Sequence, residues 1–227
     1  WAAFSSASLQ PIYGSFNGST FNWDISQTID MNLAVNSDNI IECIGKWNDH
    51  DAGLEMVWSN DGQIGYVWML AVSATTATSY QPIMFKTTDA GSNWSSVSLD
   101  FTTNEMQTYL SSYLIPTTNN NTYIPYFYES VGSVDYNGDL QLFAAVYSSY
   151  DDVISHPESL WNHYDNTGDL FNITVDGNGV KDMKWIETLH TKIVVAGSDE
   201  SYNGTGWLHR LSASKNDSEQ QVFLTWV

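Results

Sequence analysis

Residues 86–94 read KTTDAGSNW, and this stretch decides the fold. Thr87, Asp89, Gly91 and Trp94 follow the spacing Ser/Thr-x-Asp-x-Gly-x-x-Trp. The Thr and Asp side chains can bond backbone groups of a tight turn, Gly tolerates a positive φ, and Trp offers a large apolar surface to pack beneath the turn. The stretch therefore predicts a turn between two β-strands, with a structural role rather than a chemical one.

Outward from this turn, the chain repeats the same hairpin pattern. Runs of β-branched and aromatic residues flank turn-forming Asn, Asp and Gly residues, which is typical of hairpins. Examples are MNLAV with IIECIGKW, LEMVW with YVWMLAV, PIMFKT with WSSVSL, and the two halves of SVDYNGDLQLFAAV, LFNITVDGNGVKDMKWI and LHRLSASKNDSEQQVFLTWV. The hairpins recur at roughly half of the ~40–50-residue blade period of propellers. We therefore predict an all-β fold, a β-propeller of four-stranded antiparallel blades. About four to five blades fit this length, complete or partial, with a β-sandwich as the alternative.

One stretch departs from the pattern. TTNEMQTYLSSYL, residues 102–114, predicts a short helix with Thr102 or Thr103 as its N-cap and Glu105 near the first turn.

The spacing in KTTDAGSNW resembles the Asp box of the bacterial neuraminidase repeat in sialidase-like β-propellers. In those proteins the box lies at the blade periphery, away from the central site, so the resemblance implies an architecture rather than an activity. WSNDGQIGYVWMLAV, YQPIMFKTTDAGSNW, DYNGDLQLFAAV and RLSASKNDSEQQVFLTW also resemble blades of large secreted Bacteroidota proteins. Those proteins leave the cell by the type IX secretion system. The resemblance therefore implies an extracellular or cell-surface location, with the secretion machinery as a partner during export.

Composition excludes several partners. Seven basic and 26 acidic residues give a formal net charge of -19, which repels nucleic acid and anionic lipid. No apolar run reaches the ~18 residues of a membrane-spanning helix. The single Cys43 rules out an intrachain disulfide.

We expect residues 1–227 to form a single propeller or part of one within a longer chain, because the sequence starts at Trp1 and lacks the C-terminal sorting domain of the proteins it resembles.

Sialidase activity is not expected. Sialidases of this fold hold the substrate carboxylate with three arginines, and this chain has only Arg210. A different glycan hydrolase would need only two suitably spaced carboxylates. Acidic residues near aromatic ones are the first candidates for such a pair, namely Asp24, Asp49, Asp51, Glu158 and Asp165. The chain has no G-x-S-x-G nucleophile elbow and no phosphate-binding glycine loop.

Metal binding has weak support in the sequence. His156, Glu158, His163 and Asp165 lack the spacing of a zinc site, as do Asp49, His50 and Asp51. Asp135, Asn137 and Asp139 alternate as in a calcium loop, but the expected Glu at position 12 is missing and an Asn-Gly turn explains the same residues. We therefore predict no cofactor and no metal, with calcium at this turn as the minor alternative.

Two functions remain open. The first is a noncatalytic extracellular module that binds glycans or a protein partner, and the second is a glycan-active hydrolase with part of its site outside this chain. Tryptophans within strands, Trp58, Trp68, Trp185 and Trp226, are expected to pack between sheets. Those in Asn/Asp/Gly-rich contexts, Trp23, Trp47, Trp161 and Trp207, are expected to be exposed. Because indole faces stack on sugar rings, we predict Trp47, Trp161 and Trp207 as ligand-binding residues, and we favour the noncatalytic module.

Overall fold

Short turns rich in Asn, Asp and Gly separate the strands of this protein. The computed structural model describes residues 8–25, 27–33, 54–73, 79–117, 121–149, 167–192 and 211–226. Within these residues the elements follow in the order β1 (Ser8–Leu9), β2 (Ile12–Phe16), β3 (Phe21–Ile25), β4 (Ile29–Asp30), β5 (Glu55–Trp58), β6 (Gly65–Ala71), β7 (Gln81–Thr87), β8 (Ser95–Val97), α1 (Asn104–Leu110), β9 (Pro125–Val134), β10 (Leu140–Ser148), β11 (Thr167–Val175), β12 (Val180–Lys192), β13 (Ser212–Lys215) and β14 (Val222–Thr225).

Two four-stranded antiparallel sheets form the centre of the described structure. The first sheet has the strand order β5-β6-β7-β8, and the second has the order β9-β10-β11-β12, so each strand pairs with its neighbour in the chain. The N-terminal hairpin β2–β3, the C-terminal hairpin β13–β14 and the short pair β1–β4 lie outside them. The predicted all-β class with four-stranded antiparallel sheets is confirmed.

The largest core lies between the two sheets, and α1 closes one side of it. Successive side chains of a strand point to opposite faces, so alternate residues of β6 and β10 meet in this core. Its fully buried members from the first sheet are Tyr66, Trp68 and Met84, and those from the second include Phe127, Leu140, Leu142, Ala144, Val146, Phe171, Ile173 and Val175.

Both sheets also bury their second face. Behind the first sheet, Val67 and Ala71 of β6 pack with Ile29 and Met31 of the N-terminal segment. Behind the second sheet, the buried residues Ala145, Leu170, Leu189 and Leu211 form another core. Two-sided burial explains why YVWMLAV and LQLFAAV are continuous apolar runs, since a sheet with one wet face would alternate apolar and polar residues.

The first strands of successive sheets converge. β9 contacts β5 on one side and β13 on the other. The Asn60 backbone N–H, in the β5–β6 turn, donates to Glu219 Oε1 at 2.7 Å, and Asn60 Nδ2 donates to Asp217 O at 2.8 Å. Lys215 Nζ donates to Trp58 O at 2.6 Å and pairs with Glu219. The C-terminal hairpin is thereby joined to the first sheet as well as to the second.

Helix α1 begins where the sequence predicts. Thr103 is its N-cap and its Oγ1 accepts a hydrogen bond from the Met106 backbone N–H, while Glu105 lies in the first turn. Both features stabilise the helix N-terminus. Leu110, the last residue of the helix, is fully buried in the core between the sheets.

Candidate functional site

The β7–β8 turn contains the residues of the KTTDAGSNW stretch. Thr87 Oγ1 donates to Asp89 Oδ1 at 2.8 Å and accepts from the Gly91 backbone N–H at 3.0 Å. Asp89 Oδ1 also accepts from the Asn93 backbone N–H at 2.9 Å, and its Oδ2 accepts from Asn93 Nδ2 at 2.8 Å. The carboxylate thus satisfies donors of its own turn.

These hydrogen bonds also stabilise the charged form of the Asp89 carboxyl. The hydrogen bonds from Asn93 and Thr87 lower the pKa of the Asp89 carboxyl below its usual value. Bonds to the charged form favour that form, so Asp89 is a carboxylate at neutral pH. In the β5–β6 turn, Asp61 Oδ1 accepts from Ser59 Oγ at 2.6 Å and from the Gln63 backbone N–H at 2.9 Å, and these bonds lower the pKa of Asp61 in the same way.

The β7–β8 turn positions two tryptophans. Trp94 is 6% exposed and donates from Nε1 to Gly91 O at 3.1 Å. Its ring meets Trp58 edge to face, with centroids 5.7 Å apart and planes at 74°. Gly91 has φ +86°, and a Cβ there would lie 3.1 Å from Trp58 Cη2, so the turn conformation and the indole position both favour glycine.

A surface cleft opens over these two indoles. It has a volume of about 390 Å³ and lies between the N-terminal hairpin, strand β5 and the two turns. We call it the aromatic cleft, and it is lined by Pro11, Ile12, Gly14, Met56, Trp58, Gly62, Ala90, Gly91 and Trp94.

An exposed aromatic pair stands beside the aromatic cleft. Gly14, which lines it, pairs with Trp23 across β2 and β3, and a Cβ on Gly14 would lie 2.9 Å from Trp23 Cζ3. The rings of Phe21 and Trp23 stack with centroids 5.8 Å apart and planes at 27°. Trp23 is 70% exposed and Phe21 is 55% exposed. Large aromatic side chains this exposed are uncommon and mark candidate interaction sites.

The tryptophan predictions divide into three outcomes. Trp23 is exposed, Trp68 is fully buried and Trp58 packs against the core behind the first sheet, as predicted. For Trp185 and Trp226 the prediction of packing between sheets is wrong, because Trp185 lies on the edge strand β12 and Trp226 follows the last strand, so both stay 39% or more exposed. Trp47, Trp161 and Trp207, the predicted ligand-binding residues, lie outside the described residues.

The suggested calcium residues form a hydrogen-bonded turn between β9 and β10. Asp135 Oδ1 accepts from the backbone N–H groups of Asn137 at 2.8 Å and Asp139 at 3.1 Å, and Gln141 Nε2 donates to its Oδ2 at 2.8 Å. Asp139 Oδ2 forms an ion pair with Lys181 Nζ at 2.7 Å. Across the part of the chain that the structure describes, no group of three or more His, Cys, Asp or Glu could hold a metal ion. The absence of a cofactor stays a prediction.

The N-terminal half of the aromatic cleft was not predicted from the sequence. Hairpin β2–β3 has a detectable signal, because Asn17 and Gly18 separate two strands that contain aromatic residues. In the structure, Asn17 Oδ1 accepts from the backbone N–H groups of Ser19 and Thr20, both at 3.0 Å. The position of this hairpin across the cleft from β5 had no signal in the sequence.

Protein-family models, curated proteins and solved structures all give no match to this chain. Among the helical residues that the structure describes, none belongs to a helix long and apolar enough to cross a membrane.

Proposed function

We propose that this protein is a noncatalytic extracellular or cell-surface β-propeller module that binds neutral glycans in the aromatic cleft. The observation that carries the proposal is the cleft itself, a concave site with two fixed indoles inside it and the exposed Trp23 beside it. Tryptophan faces stack on the apolar faces of sugar rings, and concave sites with aromatic walls are typical of ligand binding.

Two features of the fold support a propeller over a sandwich. In a two-sheet sandwich each sheet covers the other on one face. Here the middle strands β6 and β10 of the two four-stranded sheets bury both faces, as strands of a blade do when it lies between two neighbours. The first strands β5, β9 and β13 also come together, as the inner strands of successive blades do around a common axis.

The resemblance supports the remainder of the proposal. The β7–β8 turn joins the third and fourth strands of its sheet. A turn at that position fits the peripheral Asp box of sialidase-like propellers, which is a structural feature. Secretion by the type IX system and an origin in the Bacteroidota rest on the sequence resemblance and belong to the same proposal.

Charge limits the class of glycan. Asp61 precedes Gly62, and Asp89 precedes Ala90, so a carboxylate with a lowered pKa adjoins each of two lining residues. Lys215, which reaches Trp58 O, is neutralised by its pairing with Glu219. An acidic sugar would meet unbalanced negative charge, while a neutral sugar would find hydrogen-bond acceptors.

The test is binding of neutral hexasaccharides to the full chain. Cellohexaose, xylohexaose, mannohexaose and chitohexaose are titrated by calorimetry against wild type and Trp23→Ala. We expect at least one of them to bind, and Trp23→Ala to weaken that binding about 5- to 150-fold, as expected for loss of an aromatic anchor worth about 1–3 kcal/mol. The thermal midpoint should stay near that of wild type, because Trp23 is mostly exposed.

Trp226→Ala is the matched control, since Trp226 is an exposed tryptophan on the C-terminal hairpin, away from the residues that line the cleft. Equal affinity of wild type and Trp23→Ala, or binding of none of the four sugars, would contradict the proposal. Release of shorter sugars during the titration would instead favour the glycan hydrolase, and capture of a secreted protein through Trp23 would favour a protein ligand.

A further inference from the structure

Trp185 forms a second aromatic surface, on the edge strand of the second sheet. Its Nε1 donates to Asp169 Oδ1 at 2.9 Å, and its backbone N–H donates to the Tyr109 hydroxyl at 2.7 Å. The indole is therefore held in one orientation by a strand neighbour, while its backbone is held by the helix. A side chain that is already ordered loses little conformational entropy when a ligand binds it.

Aromatic neighbours support Trp185 from one side. The Tyr113 ring stacks on it with centroids 5.9 Å apart and planes at 12°. Tyr113 in turn meets the buried Phe171 edge to face at 5.5 Å. Tyr113 therefore packs on one face of the indole, and Trp185 as a whole is 39% exposed.

Polar groups border this indole. Asp169 is 7% exposed, and its Oδ1 also accepts from Thr188 Oγ1 at 2.9 Å. A flat apolar face beside hydroxyl and carboxylate groups suits a sugar ring, which offers C–H groups on its face and hydroxyls at its edge.

We propose that Trp185, supported by Tyr113 and held by Asp169, is a second carbohydrate-binding surface for a neutral glycan. It shares no residue with the aromatic cleft, because it is built by β11, β12 and α1 rather than by β2 and the first sheet. The proposal rests on the glycan-binding function but not on the cleft being the site. Two separate sites on one module would strengthen attachment to a polymeric glycan without a tighter individual contact.

The test follows the indole N–H resonances of the ten tryptophans by NMR while the same four hexasaccharides are added to the full chain. The Trp23 and Trp185 signals are assigned by their loss in Trp23→Ala and Trp185→Ala. We expect one sugar to shift the Trp185 signal in a saturable manner, both in wild type and in Trp23→Ala. Trp185→Ala should abolish binding at this surface, and Trp185→Phe, which keeps an aromatic face, should retain part of it.

Trp226→Ala serves as the control for loss of an exposed tryptophan elsewhere. A sugar that shifts the Trp23 signal and leaves Trp185 unshifted at saturation would overturn the second surface while supporting the cleft. The reverse pattern would support the second surface and contradict the cleft. If none of the four sugars shifts either signal, both proposals are overturned.

Discussion

The β7–β8 turn and the β9–β10 turn use the same side chains for different purposes. Each has an Asp whose carboxylate accepts from backbone N–H groups further along the turn, Asp89 in one and Asp135 in the other. Each also has a glycine with positive φ, Gly91 at +86° and Gly138 at +77°. What differs is the neighbour against which the turn packs.

The β7–β8 turn packs against its own sheet. Gly91 lies against Trp58, and Trp94 packs beneath the turn. The β9–β10 turn instead packs against the neighbouring sheet. Gly138 O accepts from the Tyr66 hydroxyl at 3.0 Å and from Lys86 Nζ at 3.2 Å. One turn therefore shapes a surface cleft, while the other joins two sheets, and the difference lies in tertiary contacts rather than in turn chemistry.

The largest effect should come from Gly138→Ala. The positive φ costs a residue with a Cβ about 1–2 kcal/mol, and crowding in a packed site adds about 1–3 kcal/mol. The new Cβ would lie 2.4 Å from Ile64 Cδ1, so Ile64 or the turn must move. We expect a loss of about 2–5 kcal/mol in the free energy of unfolding, measured by urea denaturation.

Gly18→Ala is the matched control for Gly138→Ala. Gly18 has φ +96°, and a Cβ added there would meet no other atom within 4 Å, so this change introduces backbone strain without crowding. Equal losses in the free energy of unfolding for the two variants would show that the contact between the β9–β10 turn and the first sheet contributes little to stability. The β9–β10 turn would then not serve to join the two sheets.

Thr87→Val should have the next largest effect. Thr87 is buried, and its Oγ1 bonds both Asp89 and the Gly91 backbone N–H. Valine keeps the shape but leaves the Gly91 N–H without that acceptor, which typically costs about 1–3 kcal/mol. Thr225→Val, at an exposed strand position, is the control and should change the unfolding free energy little. An unchanged stability in Thr87→Val would show that the turn does not depend on this hydroxyl.

A smaller loss, about 1–2 kcal/mol from backbone strain, is expected for Gly91→Ala. The new Cβ would lie 3.1 Å from Trp58 Cη2, so a shift of the indole by a few tenths of an ångström relieves the contact. Because Trp58 lines the aromatic cleft, this variant should also weaken hexasaccharide binding, whereas Gly138→Ala should leave the affinity of the folded protein unchanged. Equal hexasaccharide affinities in Gly91→Ala and Gly138→Ala would contradict the different roles of the two turns. The β7–β8 turn would then not shape the cleft.

The sequence predicts the local elements well because their signals are local. Thr103 caps α1 as predicted, and the hairpin patterns from LEMVW onward correspond to β5–β14. The aromatic cleft could not be predicted, because residues 11–14, 56–62 and 90–94 come together only in the tertiary structure. The exposure of Trp185 likewise depends on β12 being an edge strand, which the apolar pattern of a single strand does not encode.

The smallest effect concerns the ionisation of Asp89. The Asn93 side chain is the first cause of its lowered pKa, followed by the Asn93 backbone N–H and the Thr87 hydroxyl. A carboxyl with a lower pKa in the folded state than in the unfolded state stabilises the fold above its unfolded pKa of about 3.9, and that contribution disappears as pH falls through the folded value. Asn93→Ala removes one donor and keeps the backbone N–H, so the pKa of Asp89 should rise toward its ordinary value without reaching it.

A carbon-13 NMR titration of the Asp89 carboxyl measures this directly, with Asp176 as an internal reference because its lowered pKa depends on Asn178 and Gly179 in another turn. A change in the pKa of both Asp89 and Asp176 would indicate a general change in the protein. An unchanged pKa at both would show that the Asn93 side chain does not lower the pKa of Asp89.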